Sequence, residues 1–159
     1  MNTDIIFREA DDAYESGDFS KAYALFLEAA GHGDCHAMTR LAAMYESGDG
    51  VPRDLTKSIE WDLKAVAAGS TTSILNLGVT FRKIGNVDEA QRWFEKAMAN
   101  DDGEAALELA KLHYSVNSES PLVRKYLDIA AGSLDLSEDS AEETREWLLK
   151  LDSNPDRTM

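Results

Sequence analysis

Apolar residues recur at the spacing of an α-helix along most of the chain, and the pattern is clearest near its middle. Leu41, Ala42 and Tyr45 fall on one helix face, because positions three and four residues apart share a side. A second stripe follows at spacings of three and four and consists of Ser58, Trp61 and Ala65. The pattern predicts two amphipathic helices whose small residues allow close packing.

The residues between these two stripes predict a turn. Gly48 and Gly50 suit a backbone with positive φ, and a helix cannot continue through Pro52. Asp54 is the predicted N-cap of the second helix, and Gly69 marks its predicted end. Because one such helix pair cannot bury both of its apolar faces, it requires neighbouring copies.

Further copies of the helix pair lie on both sides of this one. The run Tyr-Glu-Ser-Gly-Asp occurs twice, starting at Tyr14 and at Tyr45, and Leu41 has counterparts at Leu77 and Leu109. The repeat length of 31–36 residues predicts four helix pairs. Their expected ranges are about 4–33, 34–69, 70–101 and 102–133.

A final amphipathic segment follows the fourth pair. A helix over 138–151, with Trp147 on its apolar face, is expected to cap the array. The run from Ser140 to Glu143 has the pattern of a capping box. The sequence therefore predicts an all-α repeat domain over 1–151, followed by a disordered tail over 152–159.

The central unit resembles the Sel-1-like repeat family, a close relative of the tetratricopeptide repeat. The residues that carry this resemblance are Leu41-Ala42-x-x-Tyr45-x-x-Gly48-x-Gly50-Val51-x-x-Asp54-x-x-Lys57-Ser58-x-x-Trp61-x-x-Lys64-Ala65. Ala42 and Ser58 stand where the family usually has glycine and alanine. The next unit is more similar to the tetratricopeptide pattern, through Leu77-Gly78-x-x-Phe81, Gly85, Ala90, Phe94 and Ala97.

This resemblance implies a right-handed α/α superhelical solenoid of about four helix-turn-helix repeats plus a C-terminal capping helix. It also implies that the first helix of each pair lines a concave face, and that the protein is an adaptor or scaffold, often bacterial.

Acidic residues outnumber basic ones, 30 to 16, which gives a formal net charge of −14. Nucleic acid is a poor partner for such a chain, because binding it requires Lys and Arg to neutralise phosphates. An anionic membrane surface is disfavoured for the same reason. A basic protein partner is favoured, since opposite fields accelerate encounter, although acidity also serves solubility alone.

The chain shows none of the usual signs of export or membrane insertion. Its apolar runs are shorter than the roughly 20 residues of a membrane span, and its N-terminus lacks the basic start and apolar core of a signal peptide. The single cysteine, Cys35, excludes an intrachain disulfide. A reducing, cytoplasmic location is therefore expected.

Two kinds of site chemistry have only weak support in the sequence. His32, Asp34, Cys35 and His36 lie close together, but a zinc site needs three or four ligands, usually from two separated clusters. An inter-repeat turn is the favoured interpretation of this segment. No nucleophile, phosphate loop or activated carboxylate pair is recognisable, so we expect no catalysis, no cofactor and no metal.

The expected partner-binding residues lie on the first helix of each pair, beside the residues predicted to form the core. The first two units are expected to present acid, and the later two apolar area with two cations. The set is Arg8, Asp12, Glu15, Thr39, Ala43, Glu46, Leu75, Val79, Arg82, Leu107, Lys111 and Tyr114.

The leading hypothesis is a non-enzymatic interaction module that binds a basic protein partner. A sharper version is a bacterial immunity protein that neutralises a cognate toxin, suggested by the small size and the net charge. The alternative is a scaffold or co-chaperone adaptor that recognises short peptides in a larger assembly. An enzyme, such as a hydrolase of cell-wall fragments, is the third and weakest class.

Overall fold

The computed structural model describes residues 3–153, and the regular structure in this range consists of nine α-helices. Their bounds are Thr3–Glu15 (α1), Phe19–Gly31 (α2), Cys35–Ser47 (α3), Leu55–Ala67 (α4), Thr72–Lys83 (α5), Val87–Met98 (α6), Gly103–Val116 (α7), Pro121–Ala131 (α8) and Glu138–Asp152 (α9). The chain forms two compact units, which we call unit 1 (Met1–Thr80) and unit 2 (Phe81–Met159).

Unit 1 is built from helices that each pack against the next: α1 on α2, α2 on α3, and α3 on α4. Its core includes Ile6, Phe26, Leu41 and Met44, all fully or almost fully buried. Unit 2 packs α6 on α7, α7 on α8, and α8 on α9. Its core includes Phe94, Leu109, Leu112 and Leu127, which are equally buried.

The helix start predicted at Asp54 is confirmed by capping hydrogen bonds. The Asp54 carboxylate accepts from the backbone N–H groups of Thr56 and Lys57, and Asp34 caps α3 in the same way. α9 is an exception, because its N-cap is Ser137 and Ser140 lies inside the first turn. The predicted capping box at Ser140 is therefore wrong. α9 ends at Asp152, and residues 154–159 of the predicted tail lie outside the described residues.

The turn between α3 and α4 depends on glycine at two positions. Gly48 ends α3 with φ of 88°, and Gly50 has φ of 72°. A Cβ at Gly50 would lie 2.7 Å from Cβ of Phe19 and 2.9 Å from its carbonyl oxygen. Since Phe19 begins α2, this glycine allows the loop to contact the preceding repeat closely.

The second helix of each pair buries three positions at spacings of four and three. α2 uses Ala22, Phe26 and Ala29, and α6 uses Ala90, Phe94 and Ala97. In α4 the same positions are Ser58, Asp62 and Ala65, all buried. A carboxyl group thus stands where two other repeats place a phenylalanine ring.

The tryptophans of the second helices lie at the edge of the core. Trp61 and Trp93 are half-buried rather than fully enclosed. The ammonium group of Lys64 lies 4.1 Å from the Trp61 ring centre, and that of Lys96 lies 4.8 Å from the Trp93 ring centre. Each ring is therefore covered partly by protein core and partly by a lysine one turn away.

Candidate functional site

The first helices of unit 1 present a mixed surface, which we call the first-helix face of unit 1. Four of the predicted partner-binding residues are exposed there, namely Arg8, Asp12, Glu15 and Ala43. Four others are half-buried, namely Thr39, Glu46, Leu75 and Val79. All eight side chains therefore keep some accessible surface in unit 1.

A cavity of about 300 Å³ opens on this face, and we call it the unit 1 cavity. Three helices contribute to its walls, so it is a product of packing rather than of one segment. Its lining residues are Phe7 and Asp11 of α1, His36, Thr39 and Arg40 of α3, and Thr72 of α5.

Arg40 is the most constrained side chain of the unit 1 cavity. Its Nε and one terminal nitrogen donate to Oδ1 of Asp11, at 2.9 and 2.6 Å. The guanidinium carbon also lies 4.9 Å from the ring centre of Tyr14 and 5.6 Å from that of Phe26. Ion pair and rings together hold the guanidinium in a fixed orientation. Sequence reasoning missed both Arg40 and Asp11.

Thr39 connects the unit 1 cavity to buried hydroxyl groups. Its Oγ1 donates to the backbone carbonyl of Cys35 at 3.0 Å. The same atom lies 3.1 Å from Oγ of Ser70 and 2.8 Å from Oγ of Ser73. Ser73 is fully buried, so a chain of hydrogen bonds runs from the cavity wall into the core.

The two copies of the Tyr-Glu-Ser-Gly-Asp run meet in unit 1. The Tyr14 hydroxyl donates to Oδ2 of Asp49 at 2.7 Å, which raises the pKa of Tyr14. Hydrogen bonds from Ser47 and Tyr14 lower the pKa of Asp49. This contact ties the first repeat to the α3–α4 loop.

The segment considered as a metal site has other roles in the structure. The Asp34 carboxylate accepts from the N–H groups of His36 and Ala37, at 2.9 and 3.0 Å. The His36 ring packs edge-on against Phe7. Within residues 3–153, no group of three or more potential ligands is arranged to hold a metal ion.

In unit 2 the predicted binding residues are largely engaged within the protein. Leu107 is 1% exposed, so its prediction as a surface residue is wrong. On α7 its side chain lies in the core of unit 2. Lys111 Nζ lies 3.2 Å from Glu108 and 2.8 Å from Glu143 of α9. Arg82 pairs with Glu108 at 2.9 Å, and the exposed Tyr114 packs edge-on against Trp147 of α9.

Ion pairing also raises the pKa of Lys111. Burial acts to lower the pKa of Lys111, but its bonds to Glu143 and Glu108 outweigh that effect and raise it. The carboxylate of Glu104, at the start of α7, accepts from the backbone N–H of Ser137 and from the hydroxyl of Ser140. The start and middle of α9 are thus held to α7 by charged groups.

A larger cavity of about 450 Å³ lies in unit 2, where α7 begins and α8 ends. Its apolar lining includes Met98, Ile129 and Leu134, and its polar lining includes four aspartates. The aspartates are Asp101, Asp102, Asp128 and Asp135.

Family models agree with the repeat pattern. The Sel1 repeat model matches residues 12–34 and 35–70, and a tetratricopeptide repeat model matches residues 73–106. Together the three matches span more than half of the chain. Repeats of these two kinds generally mediate protein–protein interaction and are typically non-catalytic, so a protein partner is the general expectation.

Solved structures with the same fold include two bacterial proteins. A Sel1 repeat protein from Oxalobacter formigenes aligns with a TM-score of 0.66 and 21% identity, over 87% of this chain and 55% of its own. The protein c5321, a protective antigen present in uropathogenic Escherichia coli strains that displays an SLR fold, aligns with a TM-score of 0.71 and 20% identity. That alignment covers 96% of this chain and 35% of c5321.

This chain thus spans about half the length of the first relative and about a third of the second. No curated protein gives a significant match to the sequence. Among the helices of residues 3–153, none has the length and apolar character needed to cross a membrane.

The predicted fold class, an all-α helical repeat solenoid, is confirmed by these alignments and by the helical architecture of the described residues. The matched repeat motifs and the shared helical repeat fold lead to one conclusion: the chain belongs to the Sel1-like/tetratricopeptide-like repeat family.

Proposed function

We propose that this chain is a non-enzymatic interaction module that binds a basic protein segment on the first-helix face of unit 1. The observation that supports this most is the distribution of available charge. Asp12 and Glu15 are exposed on α1, one on either side of Tyr14, whereas Lys111 and Arg82 of unit 2 are paired with glutamates. Acid is therefore available to a partner in unit 1, whereas the two predicted cations of unit 2 are engaged within the protein.

The unit 1 cavity supports the same proposal. A cavity of about 300 Å³ is large enough for one side chain of a partner, and Asp11 and Thr39 in its wall carry acceptor oxygens. The net charge of −14 supplies a long-range field that accelerates encounter with a basic protein and disfavours nucleic acid.

The test begins by using the full chain to isolate a binding partner. The partner is then purified, and its affinity for the chain is measured by calorimetry. The double variant Asp12→Asn/Glu15→Gln is expected to weaken binding by at least about tenfold, the effect of roughly 1.4 kcal/mol. The matched control is Glu28→Gln/Glu60→Gln, which removes the same charge from exposed positions of second helices in unit 1. The control should bind within about twofold of wild type.

Salt provides the second arm of the test. Affinity for a basic partner should fall as ionic strength rises, because exposed charges are screened beyond about 10 Å at 0.1 M salt. Equal loss of affinity in the two double variants, or an affinity indifferent to salt, would contradict the proposal.

Two finer versions are separated by the size of the partner that is required. An immunity protein acting on a basic toxin, located in a bacterial cytoplasm, requires the folded toxin domain. A scaffold or co-chaperone adaptor retains its affinity when the partner is cut to a short peptide. The one-side-chain size of the unit 1 cavity favours peptide recognition, and the net charge favours the toxin version.

A further inference from the structure

The core of unit 1 contains a carboxyl group at a position that other repeats fill with an aromatic ring. Asp62 is 2% exposed. It lies eight residues after the N-cap Asp54, as Phe26 lies eight after Asp18 and Phe94 eight after Asn86. Because Phe26 and Phe94 are fully buried, this position is a core position in all three helices.

The core positions that surround Asp62 also hold polar residues. Aligning Leu41, Leu77 and Leu109 places Ser73 and Thr80 of α5 where α3 and α7 have apolar residues. The residues in α3 and α7 are Ala37 and Ala105 for Ser73, and Met44 and Leu112 for Thr80. Ser58, likewise, stands where α2 and α6 have Ala22 and Ala90. Ser58, Ser73 and Thr80 are each at most 1% exposed. Together with Asp62 they form a buried polar cluster in unit 1.

The hydrogen bonds of this cluster are incomplete. Ser73 and Asn76 bond to the Asp62 carboxyl group. Among the described residues, Oδ1 of Asp62, Oγ of Ser58 and Oγ1 of Thr80 are buried without a partner. A buried carboxylate so sparsely solvated is costly, whereas a protonated carboxyl group is neutral and gains a donor of its own.

The charges near Asp62 favour the same protonation state. Burial raises the pKa of Asp62 to about 7, the bonds from Ser73 and Asn76 act to lower it, and Glu46 of α3 raises it further. Residues 72–80 of α5 carry no charge, and Arg40 of α3 is paired with Asp11. The charged residues of α4 itself, namely Lys57, Glu60 and Lys64, are exposed.

The cluster is also connected to the unit 1 cavity. Ser73 bonds to Asp62 on one side and lies 2.8 Å from Thr39 on the other, and Thr39 lines the cavity. A hydroxyl group has one proton to donate. When Asp62 is ionised, Ser73 donates to it and can only accept from Thr39, which draws the Thr39 proton away from the Cys35 carbonyl. When Asp62 is protonated, Ser73 is released to donate to Thr39, and Thr39 donates its own proton to the Cys35 carbonyl.

We propose that Asp62 is a buried proton-binding site of unit 1 whose protonation state sets the direction of the Asp62–Ser73–Thr39 hydrogen-bond chain and thereby alters the wall of the unit 1 cavity. The effect on a bound partner rests on the proposed function. Proton binding and the change at Thr39 do not, and both are measurable in the free protein.

The direct test is a carbon-13 NMR titration of the Asp62 carboxyl group in the full wild-type chain. We expect a midpoint near 7, about three pH units above the usual value for an exposed aspartate. A midpoint below about 5 would overturn the proposal, since the group would then be ionised wherever the protein is used.

Unfolding by urea provides a second, independent measurement. An acid whose pKa is higher in the folded protein than in the unfolded chain leaves the fold more stable at low pH than at high pH. This advantage is lost as pH rises from about 4 to about 7. The unfolding equilibrium constant of wild type should therefore rise by two to three orders of magnitude more over this interval, roughly, than that of Asp62→Asn. Asp12→Asn, the matched control, should keep the wild-type pH dependence. Identical pH profiles for wild type and Asp62→Asn would refute proton binding at this site.

The coupling to the cavity has its own control, because His36, a second ionisable side chain, lines the same cavity. The amide and methyl resonances of Thr39 should shift with the Asp62 midpoint in wild type and in His36→Gln, and lose that transition in Asp62→Asn. A transition at Thr39 that survives in Asp62→Asn, or disappears in His36→Gln, would assign the change to the histidine and defeat the coupling.

Discussion

α2 and α4 are two copies of the same helix with different cores. Both have 13 residues, both are capped by an aspartate, and they share three buried positions at the same spacing. α2 buries Phe26 in an apolar cluster with Ile6, Leu41 and Met44, whereas α4 buries Asp62 beside Ser73 and Asn76. The caps and small residues therefore determine the helix pair. The large central position can hold either an apolar or a polar side chain, provided that its neighbours match it.

The largest expected effect comes from placing an aspartate, as at Asp62, in a repeat that lacks the polar residues of α5. Phe94→Asp should cost about 5 kcal/mol or more and unfold unit 2, because it removes a buried ring and buries a carboxyl group. The positions that would face it by register are apolar in α7, including Ala105 and Leu112. Urea unfolding at pH 7 would measure the loss. A variant that stays folded would show that the partners on α5 are unnecessary.

Alanine substitution at the equivalent positions of α2 and α4 should give unequal losses. Phe26→Ala is expected to cost about 3–5 kcal/mol, because it leaves a cavity in a fully buried apolar cluster. Asp62→Ala at pH 8 should fall within about 1 kcal/mol of wild type, since losing two hydrogen bonds is offset by removing a buried negative charge. Calorimetric melting of both variants under the same conditions measures the two losses of stability. Similar losses would contradict the expected difference between the two positions.

The smallest of the three effects is expected at the tryptophans. Trp61→Ala should cost about 1–3 kcal/mol, less than Phe26→Ala, because the half-buried ring gives up less apolar surface. Trp93→Ala is the matched variant in unit 2, with the same lysine contact one turn away. Chemical denaturation of both should give losses within about 1 kcal/mol of each other. A loss for Trp61→Ala larger than that for Phe26→Ala would mean that the tryptophan, not the phenylalanine, is the more deeply buried ring.

Local rules predicted the repeat frame because they act within a few residues. The N-cap at Asp54 and the positive φ at Gly48 depend only on neighbouring backbone. The same letters nevertheless have different roles where the chain context differs. Asp18 in the first Tyr-Glu-Ser-Gly-Asp run caps α2, whereas Asp49 in the second accepts a hydrogen bond from Tyr14.

The surface predictions were less successful, for a reason that concerns packing between helices. Helix periodicity indicates which residues share a face but not what covers that face. Lys111 and Tyr114 were predicted as binding residues, yet α9 supplies Glu143 and Trp147 to contact them. Arg40 and Asp11 were missed because their ion pair joins α1 to α3, and nothing in either segment alone identifies its partner.

The sequence by itself determined the helix pairs, their caps and turns, the repeat length and the family, because each of these follows from spacing and residue type within one unit. Only the tertiary structure decided that Asp62 is a core residue and that its hydroxyl partners reach the unit 1 cavity through Thr39. It also decided that Arg82 and Lys111 are paired with glutamates. Burial and the pairing of charges depend on which side chains from distant segments are brought together, and that information exists only once the helices are packed.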